Sequence, residues 1–154
     1  MAIITGQATA TTIYGYKRFD VKKLTESASI PTKDQHDAGW DLYADEAVAI
    51  PAGATVLIST GIAMAIPKGH AGLIWDRSSM GVKGLHRHAG VVDSEYRGPV
   101  KVCLHNTTNE PYNIERGDRI AQILIQEIPL FRIQEVEELD STKRGSGGFG
   151  STGK

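Results

Sequence analysis

Apolar residues in this chain come in runs of four to six, each closed by a turn-forming pair or triplet, and that punctuation leaves little room for helices. The runs from Ala54 to Ile58, Ile62 to Ile66, Gly72 to Trp75, Val100 to Leu104 and Ile120 to Ile125 alternate with Pro-Ala-Gly, Thr-Gly, Pro-Lys-Gly and Arg-Gly-Asp breaks. An amphipathic helix would space apolar residues three and four apart over at least about 10 residues, whereas short runs between breakers are the mark of strands. One exception is Ser78 to Lys83, where Ser78 can cap a short helix that Gly84 then stops. Many short strands at this spacing predict an all-β chain, a sandwich or jelly roll. The length, 154 residues, suits one domain with a substantial core of its own.

Charge narrows the partners. Lys plus Arg number 17 and Asp plus Glu 18, so no global field draws the chain to nucleic acid and no basic stripe could follow a phosphate backbone. The N-terminus lacks the basic start and apolar run of a secretory signal, and no stretch approaches the roughly 18 apolar residues of a membrane span. No nucleic-acid or membrane partner and a cytoplasmic location are therefore expected. Cys103 is the only cysteine, which suits a reducing compartment, and its neighbours Val102 and Leu104 mark it as a core thiol.

The segment GVVDSEYRGP, from Gly90 to Pro99, sets a carboxylate and a phenol ring inside an apolar strand-turn-strand pattern. Val91 and Val92 favour a sheet, Gly98 and Pro99 favour a turn, and Asp93 falls where the first strand gives way to the tip of a hairpin. An acid there commonly makes a local turn bond, and an aromatic such as Tyr96 commonly packs on its sheet. Taken as chemistry, the same two residues offer a base and a stacking face in one pocket.

Four further segments carry polar groups at suggestive places: AGWDLYA from Ala38, DRSSMG from Asp76, RGDRIAQILI from Arg116 and RGSGGFGSTG from Arg144. In the second, Arg77 offers a forked cation, and Ser78, Ser79 and the helix-start amides offer donors to a phosphate. Its structural alternative is a helix cap with Arg77 paired to Asp76. Gln122 interrupts an apolar strand and needs a partner there. Asp41 should point to the side opposite Trp40 and Leu42, where a strand-end charge is the plain alternative. Asp118 and Arg119 read as a local structural pair. His86 and His88 share a strand face, but two ligands do not make a zinc site; His36, His70 and His105 read as surface residues.

The Gly-rich tail after Asp140 spells G-x-G-x-x-G and GxxxxGK, and neither carries its usual meaning. A dinucleotide fingerprint must follow a strand and open a helix, and a phosphate loop needs a Ser or Thr after its Lys and then a helix. Composition alone predicts disorder for such a tail, although Arg144, Phe149, Ser151 and Thr152 add a cation, a stacking face and two hydroxyls to it.

Together, and in this order, the five segments resemble the signature motifs of the trimeric dUTPases, the deoxyuridine 5'-triphosphate nucleotidohydrolases, and the resemblance covers the chain from about Val21 onward. It implies a jelly roll of the dUTPase-like β-clip type, with residues 1–20 an N-terminal extension of unread role, 21–140 the domain and 141–154 a flexible arm that closes over the nucleotide. It implies hydrolysis of dUTP to dUMP and pyrophosphate by water attack on the α-phosphorus, which limits uracil in DNA and supplies dUMP for thymidylate synthesis.

By the same resemblance Asp93 is the general base, Asp41 lies near the catalytic centre and Gln122 reaches the phosphate and water region. Arg77, Ser78, Ser79 and Gly81 bind substrate at the phosphates. Ala89, Gly90, Val92 and Lys101 surround the uracil, and Tyr96 lies on the sugar at C2′. Arg144, Phe149, Gly150, Ser151 and Thr152 bind from the arm, with Phe149 on the base and Arg144 on the terminal phosphate. The cofactor is Mg²⁺, held mainly by substrate phosphates and water, as suits an ion that dehydrates reluctantly. The assembly implied is a homotrimer whose pockets take the hairpin from one subunit, the Arg-Ser-Ser and Gln motifs from a second and the tail from a third.

Two departures stand out. Trp40 occupies a place where Tyr or Leu is commoner, and His86-Arg87-His88 precedes Ala89-Gly90 where smaller or apolar residues are common. Two other classes stay open. A deoxycytidine triphosphate deaminase resembles the same fold, but it adds an Arg and a Glu where this chain has Val82 and Cys103. A non-catalytic interaction module could keep the nucleotide site, although an intact Asp93 argues against that.

Overall fold

The computed structural model describes residues 17–148. Strands follow in chain order as β1 Asp20–Lys23, β2 Trp40–Tyr43, β3 Val48–Ile50, β4 Thr55–Ser59, β5 Ile62–Ala65 and β6 His70–Trp75. The helix α1, Ser78–Val82, comes next, then β7 Leu85–Arg87, β8 Val91–Val92, β9 Lys101–Asn106, β10 Tyr112–Ile114 and β11 Arg119–Glu127. They assemble into a four-stranded sheet ordered β2-β11-β6-β8, a three-stranded sheet ordered β4-β9-β7, and the pairs β1-β5 and β3-β10. Every pairing is antiparallel. The all-β jelly roll is the fold, and the five apolar runs fall on β4, β5, β6, β9 and β11. Among the described residues no helix is long and apolar enough to cross a membrane.

Period-two alternation builds the core. In β9, Val102, Leu104 and Asn106 point inward and Lys101, Cys103 and His105 outward. They meet Leu42 of β2, Ile58 of β4, Ile62 of β5 and Ile120 and Ile123 of β11, all essentially sealed from solvent. Asn106, fully buried, is tolerated because its amide donates to the carbonyls of Ile50 at 3.0 Å and Glu110 at 2.7 Å. β11 breaks the alternation once. Its register against β2 shifts between Arg119 and Ala121, and this bulge lets consecutive Ile120 and Ala121 both face the core.

Three expectations are corrected. Cys103 is half-buried on the outer face of β9, not in the core. Alternation gives the reason, since buried neighbours on both sides force the residue between them outward. The Val91-Val92 segment and the Val100 run do not pair as a hairpin: β8 pairs with β6, whereas β9 lies between β4 and β7 in the other sheet. The intervening chain crosses between layers through a turn closed by the Tyr96 amide on the Asp93 carbonyl, 3.1 Å. Ser78 does not cap α1. Arg77 is the N-cap residue, with no side-chain cap, and Ser78 is already helical. Gly84 ends the helix as expected, at φ +77°.

One loop carboxylate stands apart from the site. Asp45 accepts the Thr25 hydroxyl at 2.7 Å and faces Gly61, where a Cβ would lie 2.5 Å from its Oδ2. That hydrogen bond outweighs burial and, with Ser27, Arg116 and Lys23, holds the carboxyl below its ordinary value of 3.8.

Candidate functional site

The polar residues singled out above fall into two groups. The first lies around a cleft of about 500 Å³ between the two larger sheets, lined by Asp93, Tyr96, Ala89, Gly90, Val92 and Lys101 together with Leu57, Ile74 and Cys103. Asp93 is exposed, and its carboxylate makes no hydrogen bond among the described residues. Tyr96 is half-exposed and donates its hydroxyl to the Pro99 carbonyl at 3.1 Å, which fixes the ring across Gly98. No larger residue fits at 98, because a Cβ there would run into the ring. Gly90 is required for another reason. Its carbonyl accepts the Ile74 amide at 2.7 Å, and a Cβ would stand 2.9 Å from the Ile74 carbonyl oxygen. The chain therefore runs tight against β6 just before Asp93. Val92 is buried, so it can present only backbone to the cleft.

The second group gathers on the outer face of the four-stranded sheet. Gln122 lies directly opposite Asp41 on one side and Trp75 on the other. Arg77 donates from Nε to Asp41 Oδ1 at 2.7 Å and from its terminal nitrogen to Ser79 Oγ at 3.3 Å. Arg119 reaches the second Asp41 oxygen at 3.3 Å. One partly buried carboxylate thus holds two guanidinium groups, and Arg77 is oriented before any ligand arrives. Ser78 and Ser79 are exposed at the start of α1, where the first amides of a helix have no internal partner. The Gly81 amide is taken, donating to the Arg77 carbonyl at 3.0 Å. Gln122 is satisfied through Nε2, which donates to the Asp76 carbonyl at 2.9 Å. It has room only because residue 39 is Gly, since a Cβ there would lie 2.7 Å from its Oε1.

Two pairings differ from the local reading. Arg77 goes to Asp41, not to Asp76, and Arg119 also goes to Asp41, whereas Asp118 accepts the Glu115 amide at 2.9 Å and closes its own turn. Sequence proximity gave no hint of a partner 36 residues away, and only the strand register brings Asp41 to the corner. Also unread in the sequence were Leu57 and Cys103, cross-strand partners that form one wall of the cleft. His86 bonds Asp76 at 3.3 Å, and the His88 ring stacks on His105 at 4.8 Å.

No residue of the Asp41-Arg77 group lines the Asp93 cleft, so one chain supplies two half-sites. Arg144 belongs to neither, and its Nε donates to the Gly147 carbonyl at 2.9 Å within the tail. Phe149, Gly150, Ser151 and Thr152 lie outside the described residues. No trio of His, Cys, Asp and Glu that could cage a metal occurs among the described residues.

Comparison with known proteins bears on this arrangement. The family model described as dUTPase matches residues 25–153. The deoxyuridine 5'-triphosphate nucleotidohydrolase of Yarrowia lipolytica is 47% identical over 134 residues, covering 84% of this chain and 85% of that protein. A solved dUTPase mutant from Staphylococcus bacteriophage 80alpha, bound to dUpNHpp, superposes with a TM-score of 0.83 at 29% identity, covering 89% of this chain and 99% of that one. A mutant dUTPase from phage phi11 of S. aureus, described as coordinating a structural Mg(II) ion, gives a TM-score of 0.76 at 26% identity over 80% of this chain and 99% of its own.

Proposed function

The chain belongs to the dUTPase family, and on that premise we propose that it hydrolyses dUTP to dUMP and pyrophosphate with Asp93 as general base. The observation that carries this reading is the Asp93 carboxylate, without a partner among the described residues, in the lining of a cleft bounded by the fixed Tyr96 ring. A base must be free to take a proton, and among the described residues nothing engages the Asp93 carboxylate while Asp41 has both oxygens engaged.

Asp93 draws a proton from a water that attacks the α-phosphorus in line, and the bond to the pyrophosphate oxygen breaks. Arg77, held by Asp41, and the hydroxyls and amides of Ser78 and Ser79 take up charge on the leaving group. Gln122 sits beside them, fixed to the β6-α1 corner. Backbone of Ala89, Gly90, Val92 and Lys101 faces the uracil, and the Tyr96 ring covers the sugar where a 2′-hydroxyl would collide. Mg²⁺ would be carried by the triphosphate oxygens with Asp41 on its water shell, and when bound it supplies charge neutralisation on the phosphates. Residues 141–154 form the closing arm, with Arg144, Phe149, Gly150, Ser151 and Thr152 on the nucleotide.

The two half-sites within one chain support a homotrimer whose subunits complete each other's pockets. So do Leu130, Phe131, Ile133 and Leu139, which stand exposed in the segment after β11. Pyrophosphate release measured across dUTP, dTTP, dCTP and UTP tests the reading, with dUTP expected to be the preferred substrate by far. In the same assay Asp93→Asn should lower turnover by at least about a hundredfold while dUpNHpp still binds. Turnover at the wild-type rate in that variant would remove Asp93 from the role.

A further inference from the structure

We propose that Asp76 and His86 are positioning residues that brace the phosphate-binding corner from behind; the proposal rests on the reading above, in which Arg77, Ser78, Ser79 and Gln122 face the triphosphate. Asp76 stands between β6 and α1, directly before Arg77, and bonds to two other strands. Its Oδ1 accepts the Arg87 amide of β7 at 2.8 Å, its Oδ2 faces His86 Nδ1 at 3.3 Å, and its backbone carbonyl takes the Gln122 amide of β11 at 2.9 Å. A carboxylate can only accept, so Nδ1 of His86 carries the hydrogen.

Neighbouring contacts complete the brace. The His86 ring lies against α1, with Cε1 3.9 Å from where a Cβ on Gly81 would be. On the other side the Arg87 guanidinium sits 4.7 Å from the centre of the Trp75 ring, with its Nε buried and without a hydrogen-bond partner. Among the described residues that side chain is therefore held by the ring face and not by an ion pair. The residues on both sides of Asp76 are fixed, Trp75 by Arg87 and Arg77 by Asp41. Asp76 then sets the angle at which the helix start leaves the strand.

The parts are unequal. The His86 and Asp76 side chains are 48% and 34% exposed, so their ion pair is weakened by solvent. The bond from the Arg87 amide is partly buried and charge-assisted, and it carries more of the load. Removing Asp76 should therefore matter more than removing His86, and Asn should substitute for Asp because its carbonyl still accepts the Arg87 amide.

Steady-state kinetics of the full chain and dUMP inhibition read the effect together. In Asp76→Ala, kcat/KM for dUTP should fall about tenfold or more, on the scale of a misplaced binding group, while the inhibition constant of dUMP, which lacks the outer phosphates, stays within about twofold. Asp76→Asn should recover most of the loss, and His86→Ala should cost less than Asp76→Ala. An unchanged kcat/KM in Asp76→Ala, an equal loss in dUMP binding, or an Asn variant no better than Ala overturns the brace. Should Asp76→Ala not fold, the comparison of wild type, Asp76→Asn and His86→Ala decides, and an unchanged kcat/KM in His86→Ala then overturns it. Wild-type protein that releases no pyrophosphate from dUTP would instead sink the functional reading itself.

Discussion

Gly39→Ala separates activity from stability in a way the structure quantifies. The added methyl would lie 2.7 Å from Gln122 Oε1, 3.1 Å from Leu124 Cδ1 and 3.2 Å from Gln122 Cβ. The first distance is impossible, but the atom is the end of a flexible side chain, so the Gln122 amide swings away, and shifts of a few tenths of an ångström relieve the contacts with Leu124 Cδ1 and Gln122 Cβ. Its bond to the Asp76 carbonyl is then lost, a change worth about 1 kcal/mol. Gly39 is not among the glycines with positive φ, so Ala adopts the same backbone and restricts the unfolded chain, which stabilises by about 0.4–1 kcal/mol. These effects nearly cancel, and at roughly 2–4 °C per kcal/mol for a chain of this size the melting temperature should move by less than about 3 °C. Activity should not be spared, because Gln122 has left its place beside Arg77; we expect a loss of about tenfold or more in kcat/KM. Thermal unfolding by circular dichroism and pyrophosphate release on one preparation give both numbers. In a Gln122→Ala background the methyl meets nothing polar, so Gly39→Ala should cost little more there. Wild-type activity in the single variant, or additive losses in the double, would refute the reasoning.

Two further outcomes follow from the geometry. Tyr96→Ala opens the space over the sugar and frees Gly98, so the ratio of kcat/KM for dUTP over UTP should shrink by about tenfold or more, measured by pyrophosphate release. An unchanged ratio would move sugar selection to another residue. Asp45 has its carboxyl lowered from 3.8, chiefly by the Thr25 hydroxyl, so its stabilisation is complete above that value and fades as the pH falls through and below it. Asp45→Asn should therefore unfold more easily in urea at pH 7, with the gap to wild type closing below about pH 4; a gap that widens on acidification contradicts the assignment.

The sequence made much of the architecture legible because the signals there are local. Apolar runs closed off by the Pro-Ala-Gly, Thr-Gly and Pro-Lys-Gly breaks can only be short strands, and β4 and β5 are such runs. β3, β7 and β10 have three residues each, too few for any periodicity to show. Pairing was less accessible than existence. Val91-Val92 and the Val100 run look like two arms of a hairpin because turn residues join them, yet each is claimed by a different sheet. The candidate site divides in the same way. Motifs supplied the residue types, but the carboxylate that orients Arg77 is set by the register of β2 on β11, which no short segment encodes. Adjacent opposite charges misled at Asp118 and Arg119 for the same reason.

The irregularity near the start of β11 ties the phase of that strand to chemistry. Counting back by twos from inward-facing Ile123, position 119 would face inward, and a buried cation would have to replace the Arg119 contact with Asp41. One supernumerary residue resets the count, so side chains three apart emerge side by side. Losing either Ile120 or Ala121 would abolish the bulge and leave Arg119 and Gln122 two apart on one face, so the loss would fall on a buried apolar side chain and not on the Arg119 contact with Asp41. The extra residue therefore serves the interior: it lets two core side chains, Ile120 and Ala121, fit between two polar ones that share the Asp41 face.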